Sequence, residues 1–175
     1  MENILSMLIF FPAVAATVGF LIDKNSMRQF GVVVTAVEFV LSILLWYNFD
    51  PSVATMQFVA QLPLIPSYGI NYVVGVDGVS LFLVVMITLM TMIAVIGLTE
   101  KKNVKNLIIT MLFLEMTMVG VFVSLDVIMF YVFWELTLIP MFYIVGFWGA
   151  EKRFYAAIKF FLYTFIGSLI MLIGM

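Results

Sequence analysis

Four ionisable residues stand inside runs of apolar residues where nothing around them is polar enough to explain them: Glu38, Glu115, Glu135 and Lys159. A carboxyl taken out of water holds its proton unless a cation sits beside it. A carboxyl whose lysine partner approaches and withdraws therefore loads and releases a proton. That is the chemistry a proton-moving protein needs, and no other catalytic constellation in the sequence competes with it. A charge at the centre of a lipid bilayer costs at least ~2.5–3.5 kcal/mol on the insertion scale, and such residues face protein or water.

Glu135 is the leading candidate. It lies in the stretch Phe130-Tyr131-Val132-Phe133-Trp134-Glu135-Leu136-Thr137-Leu138-Ile139-Pro140. Pro140 lacks a backbone donor one turn further on, which kinks a helix and frees a carbonyl for water or a side chain. The competing structural role is a carboxyl bonded to a neighbouring Thr or Trp. Glu115 stands eleven residues before Asp126 and Glu135 nine after it. If Asp126 marks a turn, both lie ~13–17 Å below it, near the middle of a ~30 Å hydrocarbon core. Glu38, nine residues past Gln29, lies at comparable depth; an interhelical hydrogen bond would also explain it. Lys159 follows Arg153 by six residues, so its stem either joins a relay or snorkels to the interface. Tyr163, Thr164 and Ser168 follow it and read either as water-holding groups or as interhelical hydrogen bonds. Asp77 and Asp126 read as helix N-caps.

These residues need helices to position them, and the composition says what kind. Of the 175 residues, 65% are hydrophobic and 10% charged. A soluble domain carries about a quarter charged residues, so the solvent for this surface is lipid. Cys and His are both absent, which excludes thiolate iron–sulfur clusters, the usual zinc sites and histidine-ligated haem. The fourteen Met residues read as filler of apolar helix surfaces rather than as soft-metal ligands. No cofactor and no metal is expected in this chain. No basic patch invites nucleic acid.

Six apolar runs are long enough to be spanning helices: about 4–22, 30–47, 79–98, 107–125, 127–148 and 154–175. The whole chain reads as one all-α membrane domain. Between the fourth and fifth runs only Ser124-Leu125-Asp126 remains, so those two form a tight antiparallel pair. The segment 48–78 holds Pro51, Pro63, Pro66, Gly69, Gly75 and Gly78, too many for a spanning helix. Residues 70–74 read as a short strand. Lys24, Arg28, Lys101, Lys102, Lys105, Lys152 and Arg153 all fall in loops one, three and five. Basic residues mark the cytoplasmic side, which predicts an extracytoplasmic N-terminus and an extracytoplasmic loop 48–78. The first run lacks the basic start of a signal peptide. Trp46, Tyr47 and Trp148 fall at helix ends, as interfacial aromatics do. The last run stops without a cap or polar anchor, from which we expect the chain to be the N-terminal piece of a longer one.

Three stretches carry a family resemblance: Gly75-Val76-Asp77-Gly78-Val79-Ser80-Leu81, the segment 126–149 centred on Phe133-Trp134-Glu135 with Pro140, and Arg153-Phe154-Tyr155-Ala156-Ala157-Ile158-Lys159-Phe160-Phe161-Leu162-Tyr163-Thr164 continuing to Gly167-Ser168. Together they resemble the antiporter-like, proton-translocating membrane subunits of respiratory complex I (NADH–quinone oxidoreductase). The nearest branch is subunit M, related to the D-type subunits of multisubunit Na⁺/H⁺ antiporters. The resemblance runs through the whole chain but spans only about the first third of the family's length. It implies a fourteen-helix fold with two inverted five-helix repeats, of which six helices are present here. It implies that Glu135 matches the essential helix-five glutamate, whose lysine partner lies beyond Met175. It further implies multi-pass residence in a bacterial inner membrane, neighbouring membrane subunits as partners, and proton movement coupled to quinone reduction elsewhere in a translocase complex.

Other readings stay open at this stage. A subunit of a multisubunit Na⁺/H⁺ antiporter or of a membrane-bound hydrogenase would keep the same glutamate. A passive membrane scaffold would tolerate the loss of Glu135. A generic solute transporter is disfavoured, because no span shows an unwound Gly-rich break near its midpoint.

Overall fold

The computed structural model of the chain describes residues 3–65, 70–99 and 103–174. Lys101 and Lys102, used above to orient the chain, and Pro66 and Gly69 of the second loop lie outside the described residues. Among the described residues there are six helices: α1 (Ile4–Gly19), α2 (Met27–Tyr47), α3 (Gly78–Ile96), α4 (Val104–Val123), α5 (Val127–Trp148) and α6 (Arg153–Gly174). Between α2 and α3 lies an antiparallel hairpin of β1 (Gln57–Ile65) and β2 (Ile70–Val76).

Five of the helices, α2 to α6, are long and apolar enough to cross a membrane. The first run differs from its expected span of 4–22. Its α-helix has 16 residues and rises ~24 Å, short of a ~30 Å core. The remainder tightens instead of ending: the N–H groups of Phe20, Leu21 and Ile22 bond the carbonyls of Thr17, Val18 and Gly19, three residues back. Lys105 then donates to the Phe20 and Ile22 carbonyls, both at 2.8 Å. A cation at these exposed carbonyls also suits the negative end of a helix dipole.

Two arginines do similar work at the same end. Arg28 donates to the Ile96 carbonyl at the end of α3, and Arg153 to the Phe147 carbonyl at the end of α5. The opposite end carries the hairpin. Its second strand was partly legible in the sequence; β1 was not, because Pro63 argues against a strand. Pro63 is tolerated in a two-stranded sheet, where every strand has a free edge. Phe58 adopts a left-handed φ of 54° inside the irregular step between Gln57 and Ala60. The hairpin is anchored by the Ser6 and Tyr72 hydroxyls, 2.9 Å apart, and by the Leu125 N–H on the Val73 carbonyl.

Helices α1 to α4 pack as a bundle, α5 lies along α4, and α6 lies along α5. Glycines set the closest approaches. A methyl added at Gly31 on α2 would come within 2.7 Å of Ile108 on α4, and one at Gly120 on α4 would overlap the Phe133 ring on α5. Small residues let membrane helices approach where lipid supplies no hydrophobic drive between them. Burial falls steeply along the row: α4 buries eleven residues, α5 four, and α6 only Ala157 and Ser168. The buried apolar core falls into two clusters, one towards the hairpin around Leu45, Val84 and Val119, the other towards the basic end around Met27, Val95 and Leu112.

Candidate functional site

Helix α5 begins at Asp126, whose carboxylate accepts the N–H groups of Ile128 at 2.9 Å and Met129 at 3.0 Å. Asp77 caps α3 in the same way, accepting from the Ser80 N–H at 2.7 Å. That bond holds the Asp77 carboxyl below the usual carboxylate range. Both aspartates are therefore helix caps, as their positions suggest. From Asp126 the helix runs through Pro140 without interruption. Pro140 offers no N–H to the Leu136 carbonyl, one residue from Glu135.

Glu135 is partly buried on the seam between α5 and α6. Its carboxyl meets the Ser168 hydroxyl of α6, and Tyr131, one turn earlier on α5, hydrogen-bonds with both. The Ser168 hydroxyl also lies 2.8 Å from its own Phe165 carbonyl. A hydroxyl has one hydrogen, so when Ser168 gives it to Phe165, Glu135 must carry the proton it shares with Ser168. The trio can thus hold a proton on the carboxyl or pass it along hydroxyls. Phe133 is seated on Gly120 and fixes α5 against α4. Neither Thr137, which donates to the Trp134 carbonyl, nor Trp134 takes up the carboxyl.

Lys159 is exposed, with its ammonium 5.9 Å from the Tyr155 ring and 5.7 Å from the Tyr163 ring. Nine residues separate it from Ser168, which turns it ~180° around α6. It therefore points away from Glu135 within this chain. Thr164 donates to the Phe160 carbonyl, and Tyr163 is exposed, so of the three polar candidates on α6 only Ser168 bridges to another helix.

Glu115 and Glu135 do stand at matched depth: each lies eight residues from the α4–α5 turn, counted from Val123 and Val127, or ~12 Å. They do not face each other. Gly120, which faces α5, is five residues from Glu115, a rotation of ~140°. Glu115 instead shares the α4 face of Ile108, seven residues before it. Ile108 meets Gly31 of α2, and seven residues after Gly31 comes Glu38. The parallel helices α2 and α4 thus carry Glu38 and Glu115 into register. Glu38 is 0% exposed and Glu115 1%, and among the described residues none of their four carboxyl oxygens has a hydrogen-bond partner.

Two groups escaped the sequence reading. Tyr131 had a signal, its i, i+4 spacing from Glu135. The pairing of Glu38 with Glu115 had one too: each stands eleven residues from the start of its helix, Met27 and Val104. Among the described residues no group of His, Cys, Asp or Glu is arranged to hold a metal.

Comparison with known proteins follows this geometry. Residues 124–175, which hold Glu135 and Ser168, match the family described as NADH:quinone oxidoreductase/Mrp antiporter, TM. The chain is 42% identical, over its full length, to NADH-quinone oxidoreductase subunit M of Rhodobacter capsulatus, covering 35% of that protein. It is 38% identical over 99% of its length to F(420)H(2) dehydrogenase subunit M of Methanosarcina mazei, covering 36% of it. It superimposes on a chain of respiratory complex I from Thermus thermophilus with a TM-score of 0.82 and 26% identity, covering 96% of this chain and 34% of that one. The chain spans about one third of the length of the relatives it matches.

Proposed function

Given that the chain belongs to the NADH:quinone oxidoreductase/Mrp antiporter family of membrane subunits, we propose that it serves in a proton-translocating subunit M of an NADH–quinone oxidoreductase, with Glu135 as the carboxyl that takes up and releases the transported proton. One observation supports this above the others: a carboxyl near the middle of an apolar helix, partly exposed, with Ser168 and Tyr131 as its hydroxyl partners. A structural carboxyl would be enclosed. This one shares its seam with hydroxyls of two helices, groups that can exchange a proton with it.

In this reading a lysine outside the present chain approaches Glu135, favours its ionised form and expels the proton; on withdrawal, the carboxyl is free to take up the next one. Ser168 and Tyr131 keep the carboxyl hydrogen-bonded in both states. Lys159, on the far face of α6, serves an adjoining segment of the path or a neighbouring subunit rather than Glu135 itself. Glu115 acts on the other side of α4. Electron transfer belongs to other chains of the complex, so this subunit contributes proton movement to a translocase without a redox centre of its own. We place the basic end in the cytoplasm of a bacterial inner-membrane protein, by the positive-inside rule, with the hairpin and the N-terminus outside. The partners are neighbouring antiporter-like membrane subunits.

A second reading keeps the same chemistry in a different complex, a Na⁺/H⁺ antiporter or a membrane-bound hydrogenase. The likeness to a subunit of an F(420)H(2) dehydrogenase favours keeping the electron donor open. The test is Glu135→Gln in the full-length protein, in inverted membrane vesicles, recording assembly, electron transfer and proton pumping together. The expected outcome is an assembled complex whose pumping and coupled oxidation collapse by ~100-fold or more, the scale of losing one proton-transfer group. Pumping near the wild-type rate would reject the relay role.

A further inference from the structure

We propose that Glu38 and Glu115 form a second proton-holding site, a carboxyl pair that keeps at least one proton inside the α1–α4 bundle, separate from the Glu135 site on the opposite side of α4. The ligand is a proton, taken up on a carboxylate oxygen to give the carboxylic acid.

The register described above brings the two side chains together. Gly31 against Ile108 is the tightest approach of α2 to α4 that a glycine permits, and one heptad further along both parallel helices stand Glu38 and Glu115. Both are essentially unexposed, with all four oxygens unpartnered among the described residues. The neighbouring hydroxyls are turned elsewhere. Thr35 donates to the Gly31 carbonyl at 2.9 Å, and Ser42 shares its bonds with the Phe39 carbonyl and the Thr88 hydroxyl of α3. Their hydrogens are committed, so neither hydroxyl stabilises an ionised form of the pair.

No described cation faces the pair from any helix around it. Neither α1 nor α3 has a titratable residue between its ends. On α2 the nearest cation is Arg28, ten residues away and bound to the Ile96 carbonyl. On α4 it is Lys105, likewise ten residues away and bound to the end of α1. Tyr131 and Glu135 of α5 lie beyond the far face of α4, and Tyr72 of the hairpin is engaged with Ser6. Two like charges in register on neighbouring helices, enclosed in apolar surroundings with no cation, are not both ionised. The pair sits at the break between the two apolar clusters of the core. At that level α1 carries the buried Pro12, which leaves the Leu8 carbonyl without its usual donor and adds a polar atom to the seam.

This inference does not rest on the relay role of Glu135, and one experiment separates the two. Infrared difference spectra would be recorded on the full-length protein in its assembled complex, with glutamate labelled in the carboxyl carbon. A C=O stretch from protonated carboxyl is expected at neutral pH, shifted in heavy water. It should be lost or displaced by Glu38→Gln and by Glu115→Gln alike, and unchanged by Glu135→Gln. Where a Gln variant fails to assemble, Glu38→Asp or Glu115→Asp keeps a carboxyl and should displace the band. Two outcomes overturn the pair: both residues appearing as ionised carboxylates, or two bands of which each responds only to its own substitution.

Discussion

The bundle of α1 to α4 and the arm of α5 and α6 each carry carboxyls at the same depth but treat them in opposite ways. In the bundle, Glu38 and Glu115 are enclosed, stand in register on α2 and α4, and meet no hydroxyl that is free to donate. On the arm, Glu135 is partly exposed and meets two hydroxyls from two helices. Depth in the membrane therefore does not set what a carboxyl does; the faces of α4 do. One face closes α2 tightly through Ile108 and Gly31, leaving no room for a third party. The other seats Phe133 on Gly120, with Glu135 on the α5–α6 seam beyond it. A carboxyl that must meet a moving cation belongs on the side where hydroxyls can take over its proton. A carboxyl pair that stores a proton belongs on the closed one.

The junction between the two regions is the place to break this division. A methyl at Gly120 would fall on the Phe133 ring, so Gly120→Ala should cost about 1–3 kcal/mol through overpacking. Phe133→Ala should cost more, about 3–5 kcal/mol, by emptying a packed site. The double variant should cost clearly less than the sum, because the alanine at 133 makes room for the methyl at 120. Thermal unfolding of the full-length protein in its complex measures all three. Simple additivity would mean that α5 is held against α4 by something other than this contact.

A smaller effect tests the arm alone. Ser168→Ala removes the only described interhelical partner of Glu135 apart from Tyr131, which lies on its own helix. A hydrogen bond to a charged group contributes ~1.5–3 kcal/mol, so coupled pumping should fall by about ten- to a hundredfold while assembly persists. Ser168→Thr keeps the hydroxyl and should recover most of the rate. Equal loss in both variants would point to packing at that position, not to the hydroxyl.

The sequence made the six helices legible because each is a long apolar run between polar loops, and it made Glu135 legible because nothing apolar explains a carboxyl there. It hid what depends on rotation. Glu115 lies at the depth expected of a partner for Glu135, yet ~140° of helical turn aims it at α2 instead. Lys159 is six residues from the basic end, as expected, but on the opposite face of α6 from Ser168. Spacing along one helix fixes depth at once; which neighbour a face meets is fixed only when helices pack, and here small residues at 31 and 120 decide it. The first strand was hidden for a different reason: Pro63 reads as a breaker, and a sheet of two strands has a free edge that tolerates it. The α-helical part of the first span fell short of 4–22 because its last residues tighten into turns that apolar content cannot reveal.

The smallest effect lies where both regions meet the hairpin end. Asp77 caps α3 of the bundle as Asp126 caps α5 of the arm, through bonds to N–H groups of the first turn. Losing such a cap costs ~0.5–2 kcal/mol, so Asp77→Ala should lower the thermal midpoint of the full-length protein slightly and leave pumping intact. The sign of the pH dependence follows from the capping bond. The folded Asp77 carboxyl titrates below its usual range because Ser80 donates to its ionised form. Its stabilisation is therefore present above the unfolded carboxyl's titration and is lost as pH falls through the folded one. The difference between wild type and Asp77→Ala should be full at neutral pH and shrink on acidification. A difference that stayed constant into acid would mean that the side chain supports α3 by packing, and that the bundle, unlike the arm, does not depend on a charged cap to begin its helices at this end.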